Sequence, residues 1–318
     1  MPANSIKTKD RSIGIALGSG SARGWAHIGV LQALTDAGIE PDIICGASLG
    51  ALVGAVYANN NLRSFSGWAR ELDIIELVKY MDIKLVEGGG FVQGKRLMDF
   101  LKQHIGDMNI EKLPKAFATV AADLSSGREI WFRTGPLLDA VRASISLPGI
   151  FTPVRHDGQW LVDGGLVNPV PVSLCRAMGA RVVIAVNLNG DIVGRHLRKK
   201  TSTSDKGKKV STESRLLENL YSSLKKHAPS IKTNTKRSNE GAPGLFDVVA
   251  SSINIMQDRI TRSRMAGDPP DIILSPRLSH IGLLEVDRAA EAIEEGRKCV
   301  ERMLPALKDI LDRGDAGC

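Results

Sequence analysis

A serine flanked by glycines, in Gly46-Ala47-Ser48-Leu49-Gly50, gives this chain a nucleophile if the backbone can lift the hydroxyl clear of its neighbours. The flanking residues supply such a backbone. Asp42-Ile43-Ile44-Cys45 is a short apolar run of strand character, and residues 51–58 are a small-residue stretch suited to a helix packed closely on a sheet. Strand, G-x-S-x-G and helix make a nucleophile elbow, a sharp turn that raises the serine above the sheet edge. Side chains at Gly46 or Gly50 would collide with the adjoining strand and helix. The helix N-terminus adds free N–H groups that favour developing negative charge. The pattern alone is weak, because with 32 glycines in 318 residues it arises by chance in roughly one such chain in four. Its context carries the reading.

A second glycine-rich stretch, Gly18-Ser19-Gly20-Ser21-Ala22-Arg23-Gly24, lies between a first strand and its helix. Such a loop exposes a row of backbone N–H groups, and the helix dipole adds positive potential. It can serve as an oxyanion hole, with Gly20 and Ser21 donating and Ala22 as a further donor. It can equally cradle a pyrophosphate, although G-x-G-x-x-x-G is one residue longer than the dinucleotide pattern. The second strand ends in Cys45, Gly46 and Ser48 where that fold needs a ribose-binding acid. Loop and elbow together favour acyl chemistry. Arg23 can hold the loop or pair with a phosphate, or it is simply an exposed loop arginine.

The serine needs a base. Of the six histidines, His196 and His280 follow Asp163 in the order of a Ser-acid-His triad. His196 and His227 fall in a basic, polar tract that cannot hold a base at hydrogen-bonding distance, and His280 reads as a surface residue. Asp163 is the better candidate, at the end of a strand and followed by Gly164 and Gly165, which let the backbone pass close to another loop. A carboxylate touching the serine hydroxyl in a water-poor site can take its proton without an imidazole between them. Asp-Gly-Gly is also an ordinary turn sequence.

Loop, elbow and Asp-Gly-Gly in this order resemble the patatin-like phospholipase family, and in particular its bacterial members similar to the catalytic domain of neuropathy target esterase. The likeness extends through Ala143-Ser144-Ile145-Ser146-Leu147-Pro148-Gly149-Ile150-Phe151-Thr152-Pro153 and Asn168-Pro169-Val170-Pro171, and spans residues 13–187. It implies a Ser48–Asp163 dyad without histidine, with the glycine-rich loop as oxyanion hole and Arg23 in the place of the family's basic residue. It implies a phospholipid, lysophospholipid or simpler acyl ester as substrate, and neither metal nor organic cofactor. The family's loop carries a continuous glycine run that Ser19 and Ser21 interrupt here. Either serine at positive φ would be strained.

Elements must position these residues. Residues 12–17 read as a first strand, 25–37 as a helix capped by Gly38, then come the elbow strand and its helix. Residues 62–106 look helical but broken, with Gly88-Gly89-Gly90 a flexible spot beside a pocket entrance. Strands are expected at 117–122, 129–133, 159–162 and 181–186, and helices at 136–144 and 171–178. After residue 245 a helix, a strand at 271–274 and a final helix from 286 complete the same domain. The order implies an α/β fold, a three-layer sandwich with a mostly parallel central sheet and helices on both faces. The expected organisation is a polar tail (1–11), a catalytic core (12–193), a basic linker (194–244) and a C-terminal helix-strand-helix (245–314).

Composition bounds the partners. The chain is long enough for a sizeable core, and no apolar stretch approaches the roughly 20 residues of a bilayer span. The N-terminus shows no secretory h-region, and the four scattered cysteines show no disulfide framework. A reducing cytoplasmic location fits. The net charge of +7 is concentrated in 195–240, which holds 13 basic and 4 acidic residues, against 29 and 31 elsewhere. This tract can attract an anionic membrane surface at the inner leaflet, or it is a solvated linker. With Tyr221 its single aromatic and no recognition motif, specific nucleic-acid binding is not expected. A non-catalytic, membrane-associated regulatory protein on the same fold is the alternative from another class.

Overall fold

The computed structural model describes residues 12–72, 92–191 and 245–313. The elements, in chain order, are β1 (Ile13–Leu17), a 3-10 turn (Ser21–Trp25), α1 (Ala26–Asp36), β2 (Ile43–Ala47), α2 (Leu49–Ala58), α3 (Leu62–Glu71) and α4 (Lys95–Ile105). Then follow a 3-10 turn (Ile110–Lys112), β3 (Ala116–Asp123), β4 (Glu129–Phe132), α5 (Leu137–Ser144), β5 (Val154–His156), β6 (Gln159–Asp163), a 3-10 turn (Gly164–Leu166), α6 (Val172–Ala177) and β7 (Val182–Val186). After the second gap come α7 (Leu245–Gly267), β8 (Ile272–Leu274), a 3-10 turn (Val286–Arg288) and α8 (Ala289–Arg313). Gly88-Gly89-Gly90 and the basic tract lie outside the described residues.

The strands form one mixed, mostly parallel sheet in the order β5-β6-β3-β2-β1-β7-β8, with β4 paired to β3 as well. β3, β2, β1, β7 and β8 are parallel neighbours; β4, β5 and β6 run antiparallel to theirs. Successive residues of a strand face opposite sides, and this sheet uses the two sides differently. Ile15, Leu17, Ile44, Phe117, Ile184 and Val186 join one core with α1, α2 and α8. Ala16, Cys45, Ala118, Val183 and Ala185 join a second with Val172, Leu174 and Cys175 of α6. Helices therefore cover both faces, and the smaller residues of the second face let α6 lie close to the sheet.

Two details differ from the sequence reading. The helix expected from residue 25 begins as a 3-10 turn at Ser21, so the glycine-rich loop is shorter than it reads. β5 was not anticipated; it pairs with β6 through a tight turn at Asp157 (φ 47°) and Gly158 (φ 82°). Aspartate followed by glycine at positive φ suits a two-residue hairpin turn whose twist matches the strands.

Candidate active site

Strand register explains how two residues 115 positions apart meet. β2 pairs with β3 at 116–120, β6 pairs with it at 121–123, and β4 spans 119–122. Because β4 overlaps both, β2 and β6 must share the opposite edge of β3, end to end. They run towards each other and stop side by side, Ala47 opposite Val120 and Asp163 opposite Ala121. Ser48 is the next residue after β2. Its hydroxyl donates to Asp163 Oδ2 at 2.6 Å, while Asp163 Oδ1 accepts the Gly165 amide at 2.7 Å.

Ser48 sits at φ 57°, ψ −129°, outside the usual regions for a non-glycine residue, as the cap of α2. Such geometry costs of the order of 1–3 kcal/mol and persists only where surrounding packing enforces it. A Cβ at Gly50 would overlap Leu17 O of β1, and one at Gly164 would overlap Val120 O of β3. Only glycine allows these approaches, so both motifs are pressed against the strands that locate them. Thr119 Oγ1 donates to Gly46 O (2.8 Å) and fixes the start of the elbow.

The site is dry. Asp163 is fully buried and Ser48 is 6 % exposed. Burial pushes the Asp163 carboxyl up to about 7, against the opposing pull of its bonds from Ser48 and Gly165.

The glycine-rich loop packs against both motifs. A Cβ on Gly24 would lie 2.6 Å from Leu49 Cδ2, and one on Gly165 would lie 2.5 Å from Ser19 Oγ. The amides of Gly18, Ser19, Ala22 and Arg23 are spent on Val186 O, Pro169 O, Leu283 O and Gly20 O. Ala22 thus donates into the protein rather than towards Ser48. For the Gly20 and Ser21 amides no acceptor is found among the described residues. Ser21 adopts φ 49°, the left-handed region that a glycine would enter freely.

Arg23 is buried, and its guanidinium donates to Ile281 O (2.9 Å) and Asn189 Oδ1 (3.2 Å), tying the loop to the C-terminal segment. Gly18 O is held by His27 Nε2 at 2.7 Å. Burial pulls the His27 pKa down to about 4 despite that bond, so the ring is neutral and Nε2 carries the proton. His280 pairs with Glu291 at the surface (2.7 Å), and His196 lies outside the described residues.

Several positioning residues escaped the sequence reading. Ser144 Oγ accepts the Ser48 amide (3.0 Å), and Ser146 O accepts the Asp163 amide (3.0 Å). Arg142 donates to Ser146 Oγ (2.6 Å), Gln93 O and Thr152 O, which locks the end of α5. Burial pushes its pKa down to about 10, leaving it a cation at neutral pH. From α7, Gln257 donates to Ser19 Oγ (3.1 Å) and accepts from Asn189 (3.1 Å). The run from Ala143 to Pro153 carried the signal for the α5 residues; nothing near Gln257 marked it.

Comparison with known proteins settles the family. A model of patatin-like phospholipases matches residues 15–176, which contain the elbow, the loop and Asp163. The chain belongs to the patatin-like phospholipase family. An NTE family protein of Mycobacterium tuberculosis is 32 % identical over 93 % of this chain and 92 % of its own length. Lysophospholipase nte1 of Aspergillus fumigatus is 33 % identical over 56 % of this chain, a stretch that is 12 % of the fungal protein. VipD of Legionella pneumophila aligns over 95 % of this chain and 79 % of its own, at a TM-score of 0.33 and 11 % identity. This patatin-like protein is an enzyme of the phospholipase and esterase class, a lipid hydrolase. Among its described residues no helix is long and apolar enough to cross a membrane.

Proposed function

We propose that this enzyme hydrolyses fatty acyl esters of phospholipids or lysophospholipids through Ser48 and Asp163, in lipid breakdown at the cytoplasmic side of the membrane. The 2.6 Å contact between the Ser48 hydroxyl and the buried carboxylate carries the proposal, because it leaves no room for an intervening imidazole. The name of the fungal lysophospholipase supports the substrate class.

Ser48 Oγ attacks the ester carbonyl as its proton passes to Asp163. The oxyanion accepts hydrogen bonds from the Gly20 and Ser21 amides, with the α2 N-terminus adding positive potential. Gly18, Arg23 and Gly24 hold that loop in place. As the tetrahedral intermediate collapses, Asp163 returns the proton to the departing alcohol and an acyl-Ser48 remains. A water molecule then attacks the acyl group while Asp163 takes its proton; the acyl–Oγ bond breaks, Asp163 returns the proton to Ser48 Oγ, and the fatty acid leaves. A base of pKa near 7 suits both directions, since it accepts and releases a proton near neutral pH. The basic 195–240 segment draws the enzyme to anionic lipid, with about 1 kcal/mol for each basic residue near the surface.

Hydrolysis of a short-chain nitrophenyl ester and of a lysophospholipid tests the scheme. Ser48→Ala and Asp163→Asn should each lower kcat/KM by roughly 10³-fold or more without unfolding the protein. An Asp163→Asn enzyme that retains substantial turnover would sink the dyad.

A further inference from the structure

The helix that reaches into the glycine-rich loop has an apolar face on its other side that no described residue covers. Gln257 and Thr261 of α7 are buried, and Ile253 packs with Leu147 and Leu283. Half a helical turn away, Val248 (44 % exposed), Val249 (43 %), Ile255 (49 %) and Met256 (49 %) stand open to solvent. At about 100° per residue, Val248, Ser252, Ile255 and Arg259 fall in one row. Val249 and Met256 lie together to one side of it, and the exposed Arg259 and Arg262, the latter paired with Asp258 at 2.9 Å, follow the apolar residues along the same face.

Four large aliphatic side chains on one exposed face, followed by arginines, form the pattern of a helix lying in a lipid interface. Charge also favours lipid as the occupant. In the sequence four residues separate α7 from the stretch that holds 13 basic and 4 acidic residues, and arginines follow the apolar residues within α7 itself. A second copy of the chain would bring the same positive charge against itself. The inner face of α7 also holds the site: Gln257 bonds Ser19, and Gly165 packs against both. A bilayer seated on the outer face would lie one helix diameter from the glycine-rich loop.

We infer that the outer face of α7, centred on Val248, Val249, Ile255 and Met256, docks this enzyme onto an anionic lipid bilayer. The inference rests on the acyl-ester reading for its purpose, and its test does not depend on catalysis. Full-chain Ser48→Ala protein is mixed with vesicles of phosphatidylcholine alone, or of phosphatidylcholine with about 30 % phosphatidylglycerol to supply a negative surface potential. The bound share is measured by sedimentation. Binding is expected to the mixed vesicles, to fall with added salt, and to drop about 10-fold in Ile255→Asp/Met256→Asp. The milder Val248→Ser/Val249→Ser pair should lower it several-fold at an unchanged Tm. In the Ser48-containing enzyme these pairs should leave turnover of a soluble nitrophenyl ester within about twofold, while hydrolysis of vesicle-borne lysophospholipid falls with binding. Undiminished vesicle binding by both pairs overturns the proposal. So does a fall in Tm with binding intact, which would mean that the chain itself covers the stripe, or a shift in oligomeric state, which would make the occupant a second copy. Equal binding to neutral vesicles would overturn the anionic requirement.

Discussion

To act as the proposed base Asp163 must be ionised, yet burial pushes its carboxyl up to about 7. The rate of ester cleavage should therefore rise with pH through about 7, following the fraction of ionised Asp163. The same shift has a stability consequence of opposite sense. The folded protein binds this proton more tightly than the unfolded chain, whose ordinary aspartate value is 3.8. The contribution is fully present below that value and is lost as pH rises through about 7. An asparagine in place of Asp163 cannot ionise, and its amide can still accept from Gly165 while donating to Ser48. Asp163→Asn should therefore melt several degrees above the native protein at pH 8, with the gap shrinking towards pH 5. Thermal melts across that range measure it, and a gap that does not depend on pH would contradict the buried-carboxyl account. The meeting of Ser48 with Asp163 was legible from sequence because glycines frame both.

Elements hold these residues by contacts that tolerate little change. An alanine at Gly50 would drive its Cβ into Leu17 O, and the α2–β1 contact would have to open. Gly50→Ala should cost at least about 2 kcal/mol, visible in chemical denaturation, and should also misplace the serine. Gln257 acts at longer range, through the Ser19 hydroxyl. Gln257→Leu should lower kcat on a soluble ester by about 10-fold with KM little changed, and its effect should shrink in a Ser19→Gly background. Full additivity of the two changes would show that Gln257 does not act through Ser19. The elbow, the loop and most strands could be read from sequence because apolar alternation and glycine punctuation are local signals. Gln257 could not, being a common residue type whose partner lies 238 residues away; Ser144 and Ser146 stood in a marked run, but their roles were not legible, since their partners lie 96 and 17 residues away. β5 is three residues long with two polar members, so its pattern was too short to register, although Asp157-Gly158 marked the turn.

The whole molecule is closed by its C-terminal segment. β8 adds to β7, and α8 crosses α1 so closely that a Cβ on Gly29 would overlap Ile293 O and one on Gly296 would overlap Ala26 O. Two glycines far apart in the chain thus let two helix backbones touch, an arrangement no local pattern discloses. Arg23 reinforces it by binding Ile281 O from inside the glycine-rich loop. The family match ends at residue 176, yet the loop depends on residues 189, 257 and 281. Gly296→Leu should force the helices apart and lower Tm by roughly 4–8 °C, with ester activity falling as the loop loses its backing. Calorimetry alongside ester assays checks this; an unchanged Tm would mean that the crossing can relax without cost. The sandwich was legible from the order of strands and helices, whereas the crossing was not, since it depends on which two helices pack together.

Reaction with a fluorophosphonate, followed by mass spectrometry of the modified peptide, tests the central claim most directly. One adduct is expected, on Ser48, forming faster as pH rises through about 7 and at least about 100-fold more slowly in Asp163→Asn. An adduct on another residue, or labelling of Ser48 that proceeds unchanged without the Asp163 carboxylate, would contradict it.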